Sequence, residues 1–219
     1  MDRIGFKKFF NIVLFDENAA LPHGGFATGD KVLRRDTMVL IDGGYHYLGY
    51  SSNVCRSFFM PLEPTSLLQS IEETVLSLWW KTSECGDLQR TDDARTIAEK
   101  VKVWDIVFAA QTAAGLAFKP DNSCASVDLA ARSVINEAGY NGTFTHRLGH
   151  GIGIKAHESP YLNEANTGIS LKPGIVFTNE PGIYLQGKFG IRHEDIYLVK
   201  ESGGAEILSG ERARGPFNP

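Results

Sequence analysis

Cysteine is scarce, and the three present, Cys55, Cys85 and Cys124, are odd in number and irregularly spaced. That excludes a disulfide framework and points to a reducing, cytoplasmic setting. Nowhere do eighteen apolar residues run together, which excludes a membrane-spanning helix, and Met1 to Lys8 lack the apolar core of a signal peptide. A surplus of positive charge is missing too: 22 Lys and Arg stand against 26 Asp and Glu, a net charge of −4. Without a broad basic field neither nucleic acid nor an anionic membrane surface is an expected partner, and small or neutral substrates fit better. What is present suffices for one sizeable core, since 42% of the 219 residues are hydrophobic. We read the chain as a single domain over residues 1–219.

Histidine is also rare, with six in all, yet His146, His150 and His157 fall within twelve positions. Gly149, Gly151 and Gly153 surround the middle one and are expected to let a ligand or metal approach the backbone. Standing alone, the stretch would read as surface histidines in a glycine-rich loop, because spacing by itself does not fix a metal site. It does not stand alone. Leu40-Ile41-Asp42-Gly43-Gly44 and Ser52-Asn53-Val54-Cys55-Arg56 precede it, and Thr178-Asn179-Glu180-Pro181-Gly182-Ile183-Tyr184 and Gly190-Ile191-Arg192-His193-Glu194-Asp195 follow. Carboxylates and an imidazole spread over several strands suit two hard or borderline divalent ions.

Along the chain, Phe9 to Phe15 predicts a strand buried on both faces. Ala19 to Gly29 predicts a loop carrying His23. Asp36–Asp42 and Tyr45–Tyr50 predict a hairpin that brings position 42 near position 53, in a register the sequence does not set. An apolar stripe of Leu68, Ile71, Val75, Leu78 and Trp79 predicts a helix over Ser66 to Lys81, followed by a polar loop from Glu84 to Asp93. Helices are expected over Thr96–Ala117 and over Ser126–Ala138, the second capped by Ser126 or Asp128 and ended by Gly139. Thr143–His150, Gly174–Asn179 and Gly190–Lys200 are expected strands, each delivering a candidate ligand near an end. The tail from Ser209 to Pro219 is expected to dock on the surface.

The ordered set Asp42, Asn53, Gly149-His150-Gly151-Ile152-Gly153 with His157, Glu180-Pro181-Gly182-Ile183-Tyr184, and Arg192-His193-Glu194-Asp195 resembles one metallopeptidase family. That family holds Xaa-Pro aminopeptidase, prolidase, methionine aminopeptidase and creatinase, and the resemblance runs from about Asn11 to the C-terminus. It implies an α+β, pita-bread fold in which a curved antiparallel sheet is covered by helices. The implied metal ligands are Asp42, Asn53, His150, Glu180 and Glu194, holding two divalent ions, manganese first and cobalt, iron or zinc after it. The implied reaction is cleavage of an N-terminal residue before proline by a metal-bound hydroxide. Glu180, His157 and His146 would be catalytic, with Glu180 moving the proton to the leaving nitrogen and His157 donating to the carbonyl oxygen. His23, His146, His157 and Arg192 would bind the substrate, a peptide with proline in the second position. His146 and Arg192 resemble the Xaa-Pro branch in particular.

Beside that resemblance, the residues alone read Tyr184 as packing, His193 as a solvated strand residue and Asp195 as an alternative partner for Arg192. The chain also departs from the family. Asn53 stands where a second aspartate is usual and Cys55 where a threonine is, and an asparagine cannot supply negative charge to two dications. Residues 61–99 or so are an insertion, and the helical segment that usually precedes the first strand is missing. A bare sheet face is then expected, covered by the Ser66–Lys81 stripe or by a second copy of the chain in a homodimer. The competing reading is a catalytically inactive binding module of the same fold.

Overall fold

In the computed structural model, residues 4–25, 29–34, 36–60 and 92–219 are described. The expected helix over Ser66–Lys81, Cys85 and most of the insertion lie outside them. The first half is a three-stranded antiparallel sheet of β1 (Lys7–Phe15), β2 (Met38–Tyr47) and β3 (Tyr50–Phe59) in the order β1-β2-β3, with a short 3-10 turn at Asp16–Ala20 after β1. Cross-strand pairs Asp42–Cys55 and Gly44–Asn53 fix the hairpin register. Because facing residues share a side and side chains alternate, Asp42, Asn53 and Cys55 lie on one face, with Phe10 and Ile12 of β1 beside them.

The opposite face corrects one expectation. On the outer side of β1 and β2, Val13 is 48% and Ile41 38% exposed, so β1 is not buried on both faces. A continuous apolar run cannot reveal which of its two faces meets a core.

Two helices follow. α1 (Ala94–Ala117) starts at Asp93, whose side chain accepts from the Thr96 backbone N–H at 2.7 Å. Its residues Val103, Trp104, Val107, Ala110 and Ala114 recur at three- and four-residue steps and are buried in the main core. α2 (Cys124–Glu137) is capped by Ser123, with Gly139 at φ +89° just beyond its end. The expected cap Asp128 does other work: it pairs with Arg132 and accepts the Leu148 backbone N–H at 2.8 Å.

The second half contains β4 (Gly149–Gly151), β5 (Glu158–Leu162), β6 (Val176–Asn179), β7 (Gly182–Leu185), β8 (Phe189–Arg192), β9 (Asp195–Leu198) and β10 (Glu206–Ile207). They form a five-stranded sheet ordered β10-β9-β6-β4-β5 and a β7-β8 hairpin. The expected long strands at Thr143–His150 and Gly190–Lys200 are shorter, and the second is broken at His193-Glu194. There the chain leaves its pairing with β7 and joins β6, while Glu194 exchanges backbone hydrogen bonds with Cys55 at 3.0 and 3.3 Å. Arg56 clamps this crossing, donating to the Glu194 carbonyl at 2.7 Å and to Asp195 Oδ1 at 2.6 Å. The tail docks as expected, with the Phe59 N–H donating to the Pro216 carbonyl at 2.7 Å and Phe217 stacked on Phe59.

Two glycines expected to admit a ligand instead admit backbone. A Cβ on Gly149 would overlap the Thr178 carbonyl of β6, and one on Gly151 would lie 2.9 Å from the Glu158 carbonyl of β5. His193 is likewise not solvated. It is 1% exposed, neither ring nitrogen has a hydrogen-bond partner among the described residues, and the ring meets Trp104 edge-on at 4.6 Å.

Two tests follow from this packing. Gly149→Ala must push β4 away from β6, and we expect a loss of more than about 2 kcal/mol in urea unfolding; a midpoint like that of the wild type would contradict the close approach. Burial lowers His193 from 6.5 to about 3, so the unfolded chain takes up a proton that the folded chain refuses, and stability is lost as the pH drops from about 6.5 toward about 3. His193→Phe should therefore flatten the acid side of the stability curve, with a gain of about 1 kcal/mol or more from removing unsatisfied nitrogens; an unchanged slope would refute this account.

Candidate metal centre

The site lies where the inner face of β1-β2-β3 meets the ends of β4, β6 and β8. A cavity of about 240 Å³ is lined there by Asp42, Asn53, His150, Glu180 and Glu194, together with His23, His146 and His157. Residues up to 152 positions apart, Asp42 and Glu194, thus share one pocket with the other expected ligands. Phe10, Ile12 and Arg147 complete the wall. Arg147 was not singled out by sequence reasoning, although it stands beside His146 in the same motif.

His150 is held rigidly on β4. Its backbone N–H donates to Thr178 Oγ1 at 3.1 Å, and its Nδ1 lies 2.9 Å from the Gly151 carbonyl. A carbonyl only accepts, so Nδ1 carries the proton and Nε2 keeps its lone pair. Burial first, then the neighbouring charges of His157 and Arg147, lowers this imidazole to about 4, although the Gly151 hydrogen bond opposes the shift. It is neutral at pH 7. Nε2 faces Glu180 Oε1 at 3.3 Å, and the same oxygen lies 3.3 Å from Thr178 Oγ1. Two lone-pair atoms this close need a shared proton or a cation between them.

The third donor is Glu194, brought in by the break between β8 and β9. It is fully buried, and its Oε1 has no hydrogen-bond partner among the described residues. His150, Glu180 and Glu194 each offer one atom within 4.8 Å of the others. Burial raises the carboxyl pKa of both Glu180 and Glu194, and Glu194 is raised further by the Glu180 charge beside it. A divalent cation would reverse that penalty, because it stabilises the ionised form of both acids at once. One imidazole and two carboxylates suit manganese, iron, cobalt or zinc. These three residues fit a metal ion.

Asp42 and Asn53 are in the cavity but differently engaged. Asn53 Nδ2 donates to Asp42 Oδ1 at 3.1 Å and also to Glu194 Oε2. Arg192 Nη2 donates to Asp42 Oδ2 at 2.6 Å. Arg192 was expected in the substrate pocket, with Asp195 as an alternative partner. Neither describes it here: it is 1% exposed behind the cavity wall, its Nη1 donates to the Pro22 carbonyl and to the Tyr184 hydroxyl, and Asp195 is taken by Arg56.

Tyr184 is more than packing. Its hydroxyl lies 2.7 Å from His146 Nε2 and accepts from Arg192 Nη1 at 3.0 Å. His146 Nδ1 lies 2.7 Å from the Arg147 carbonyl, so Nδ1 is the protonated nitrogen and Nε2 accepts from Tyr184. Burial lowers this imidazole to about 3, and both nitrogens are spent on protein partners. The ring leaves no N–H for a substrate. His157 has its ring edge-on to His150 at 4.3 Å and is lowered mainly by burial; His23 lies 6.1 Å from His146, ring to ring. The hydroxyl of Tyr184 could have been flagged in the sequence only by knowing the hairpin register, which pairs Tyr184 with Gly190 and leaves Arg192, opposite Gly182, two residues along the facing strand.

Comparison with known proteins identifies the family and the fold. The sequence pattern of metallopeptidase family M24 matches residues 2–85 and 79–201. An uncharacterized peptidase of Schizosaccharomyces pombe is 40% identical over 210 residues, covering 95% of this chain and 39% of that one. Another, from Staphylococcus saprophyticus, is 36% identical, covering 93% of this chain and 48% of that one. The chain thus spans less than half the length of these relatives. Among solved structures, prolidase from Pyrococcus furiosus superposes with a TM-score of 0.74 at 30% identity, over 96% of this chain and 52% of that one. X-Pro aminopeptidase from Thermotoga maritima gives 0.73 at 33% identity, over 96% and 50%. With its mixed architecture, antiparallel sheets and shared cavity, the chain has the pita-bread fold and belongs to metallopeptidase family M24.

Proposed function

We propose that this chain is the catalytic part of a metal-dependent peptidase that removes an N-terminal residue preceding proline. The observation that carries the reading is the convergence of His150 Nε2, Glu180 and Glu194 within 4.8 Å, in a cavity also lined by His23, His146 and His157. Likeness to proteins described as prolidase and X-Pro aminopeptidase supports proline at the second position. His150, Glu180 and Glu194 would hold a divalent cation, manganese in our reading, which would supply Lewis acidity toward a peptide carbonyl and toward water.

The chain's own residues do the rest. Glu180 lies at the cavity with Thr178 Oγ1 beside it, and is placed to take a proton from water and pass it to the leaving nitrogen. His157 is neutral at pH 7 and retains an N–H to donate to the carbonyl oxygen as negative charge develops there. His146, fixed by Tyr184 and the Arg147 carbonyl, acts as a rigid wall for the proline ring together with His23, Phe10 and Ile12. With Arg192 committed to Asp42, the guanidinium left on the cavity wall is Arg147, which leans on the Tyr161 ring with its Nε unpartnered among the described residues. It is the cation we assign to a substrate carboxyl group. Buried, unpaired Cys55 and Cys124 are in keeping with a reducing, cytoplasmic setting.

A second reading, the inactive binding module, is favoured by Asn53, whose amide occupies two of the acids. Hydrolysis decides between the two. On the peptidase reading, an Xaa-Pro dipeptide is cleaved, chelator stops the reaction, manganese restores it, and His150→Ala or Glu194→Gln lowers kcat/KM by more than about 100-fold. Peptide binding without turnover at any metal concentration would establish the binding module instead. Arg147→Ala should raise KM for an Xaa-Pro dipeptide roughly tenfold while sparing the same dipeptide as its C-terminal amide; equal losses on both would rule out carboxyl recognition by Arg147.

A further inference from the structure

We infer that this centre takes one divalent cation rather than two, because Arg192 and Asn53 have closed the half that Asp42 would serve. The inference rests on the metal-site reading above.

Both Asp42 oxygens are spoken for. Oδ2 is held by a buried guanidinium at 2.6 Å, and Oδ1 by the Asn53 amide at 3.1 Å. That amide nitrogen has two hydrogens, and it gives one to Asp42 and the other to Glu194 Oε2. A donor group therefore stands between two carboxylates, where a cation would have to sit to use both. Turning the amide over would set its oxygen against two acceptors, so the orientation follows from the acids themselves. Asp42 also lies outside the group of donor atoms close enough to share an ion, which holds His150, Glu180 and Glu194. Among the described residues two buried side-chain oxygens lack a hydrogen-bond partner, Glu194 Oε1 and Asn179 Oδ1, and the first belongs to that group.

Charge leads to the same count. Arg192 pairs with Asp42, His150 offers only the Nε2 lone pair because its Nδ1–H is given to the Gly151 carbonyl, and the two carboxylates that remain, Glu180 and Glu194, match the charge of a single dication. A second dication would have to displace Arg192 from a buried pair and lie beside its guanidinium. Breaking such a pair weakens binding by on the order of a hundredfold or more. An aspartate at position 53 would remove the amide donor and add the missing negative charge.

The test is a metal count that does not depend on turnover. Metal-free protein is titrated with Mn2+ alone by calorimetry, and the bound ion is examined by electron paramagnetic resonance. The wild type should take up one Mn2+ per chain with the spectrum of an isolated ion, and His150→Ala should lose it. Asn53→Asp should gain a second equivalent and the spectrum of two coupled ions at about 3.5 to 4 Å. Asn53→Ala, which removes the donor but adds no charge, should stay at one. Two equivalents of similar affinity in the wild type would overturn the inference, as would none. If Asn53→Asp does not fold, the wild-type and His150→Ala counts decide the matter alone. One bound Mn2+ with no peptide hydrolysis supports this inference and overturns the peptidase reading, so the two can fail separately.

Discussion

Glu180 and Glu194 sit beside one another out of water, next to an imidazole whose lone pair points at them. Such a set is unfavourable by itself: each buried carboxylate raises the cost of ionising the other, and neutral His150 brings no charge to relieve it. The rest of the molecule can be seen as the means of holding it together. Backbone hydrogen bonds, which are indifferent to charge, do most of the holding. Glu180 N–H donates to the Leu148 carbonyl at 2.8 Å and Glu194 is bridged to Cys55 across the two sheets, while the His150 N–H donates to the Thr178 side-chain hydroxyl. Where side chains help, they do so from behind, as Arg56 does at the break between β8 and β9.

The positive groups divide the pocket unequally. Arg192 pairs with Asp42 and, through the Tyr184 hydroxyl, fixes His146, so one guanidinium ties the first sheet to the wall of the cavity. Glu180 and Glu194 receive no comparable ion pair within the described residues. One half of the acidic set is therefore balanced internally, and the other half is left for something that comes from outside. Asn53 stands on the boundary, giving a hydrogen to each side.

A tight spatial arrangement costs conformational choice elsewhere. Gly149 lets β4 lie against the Thr178 carbonyl, and without that approach His150 Nε2 would not come within 3.3 Å of Glu180. The histidine motif therefore needs its glycines for strand contact first. His193 shows the other side of the same economy: lying between Arg192 and Glu194, it is carried into an aromatic wall of Trp104 and Phe108 where its nitrogens find no partner among the described residues.

Much of this was legible before any coordinates. The order of Asp42, Asn53, His150, His157, Glu180 and Glu194 and the two helices are properties of local sequence, because residue type and spacing carry them. Helix ends, strand lengths and the face that β1 buries differ from expectation by a few residues or by one side, since those depend on what each segment packs against. Only the tertiary structure could decide that Arg192 spends itself on Asp42, that Tyr184 joins two site residues through its hydroxyl, and that Arg147 is the guanidinium facing the cavity. Those are contacts between residues as many as 150 positions apart, set by a sheet register and a strand break, and a linear pattern contains neither.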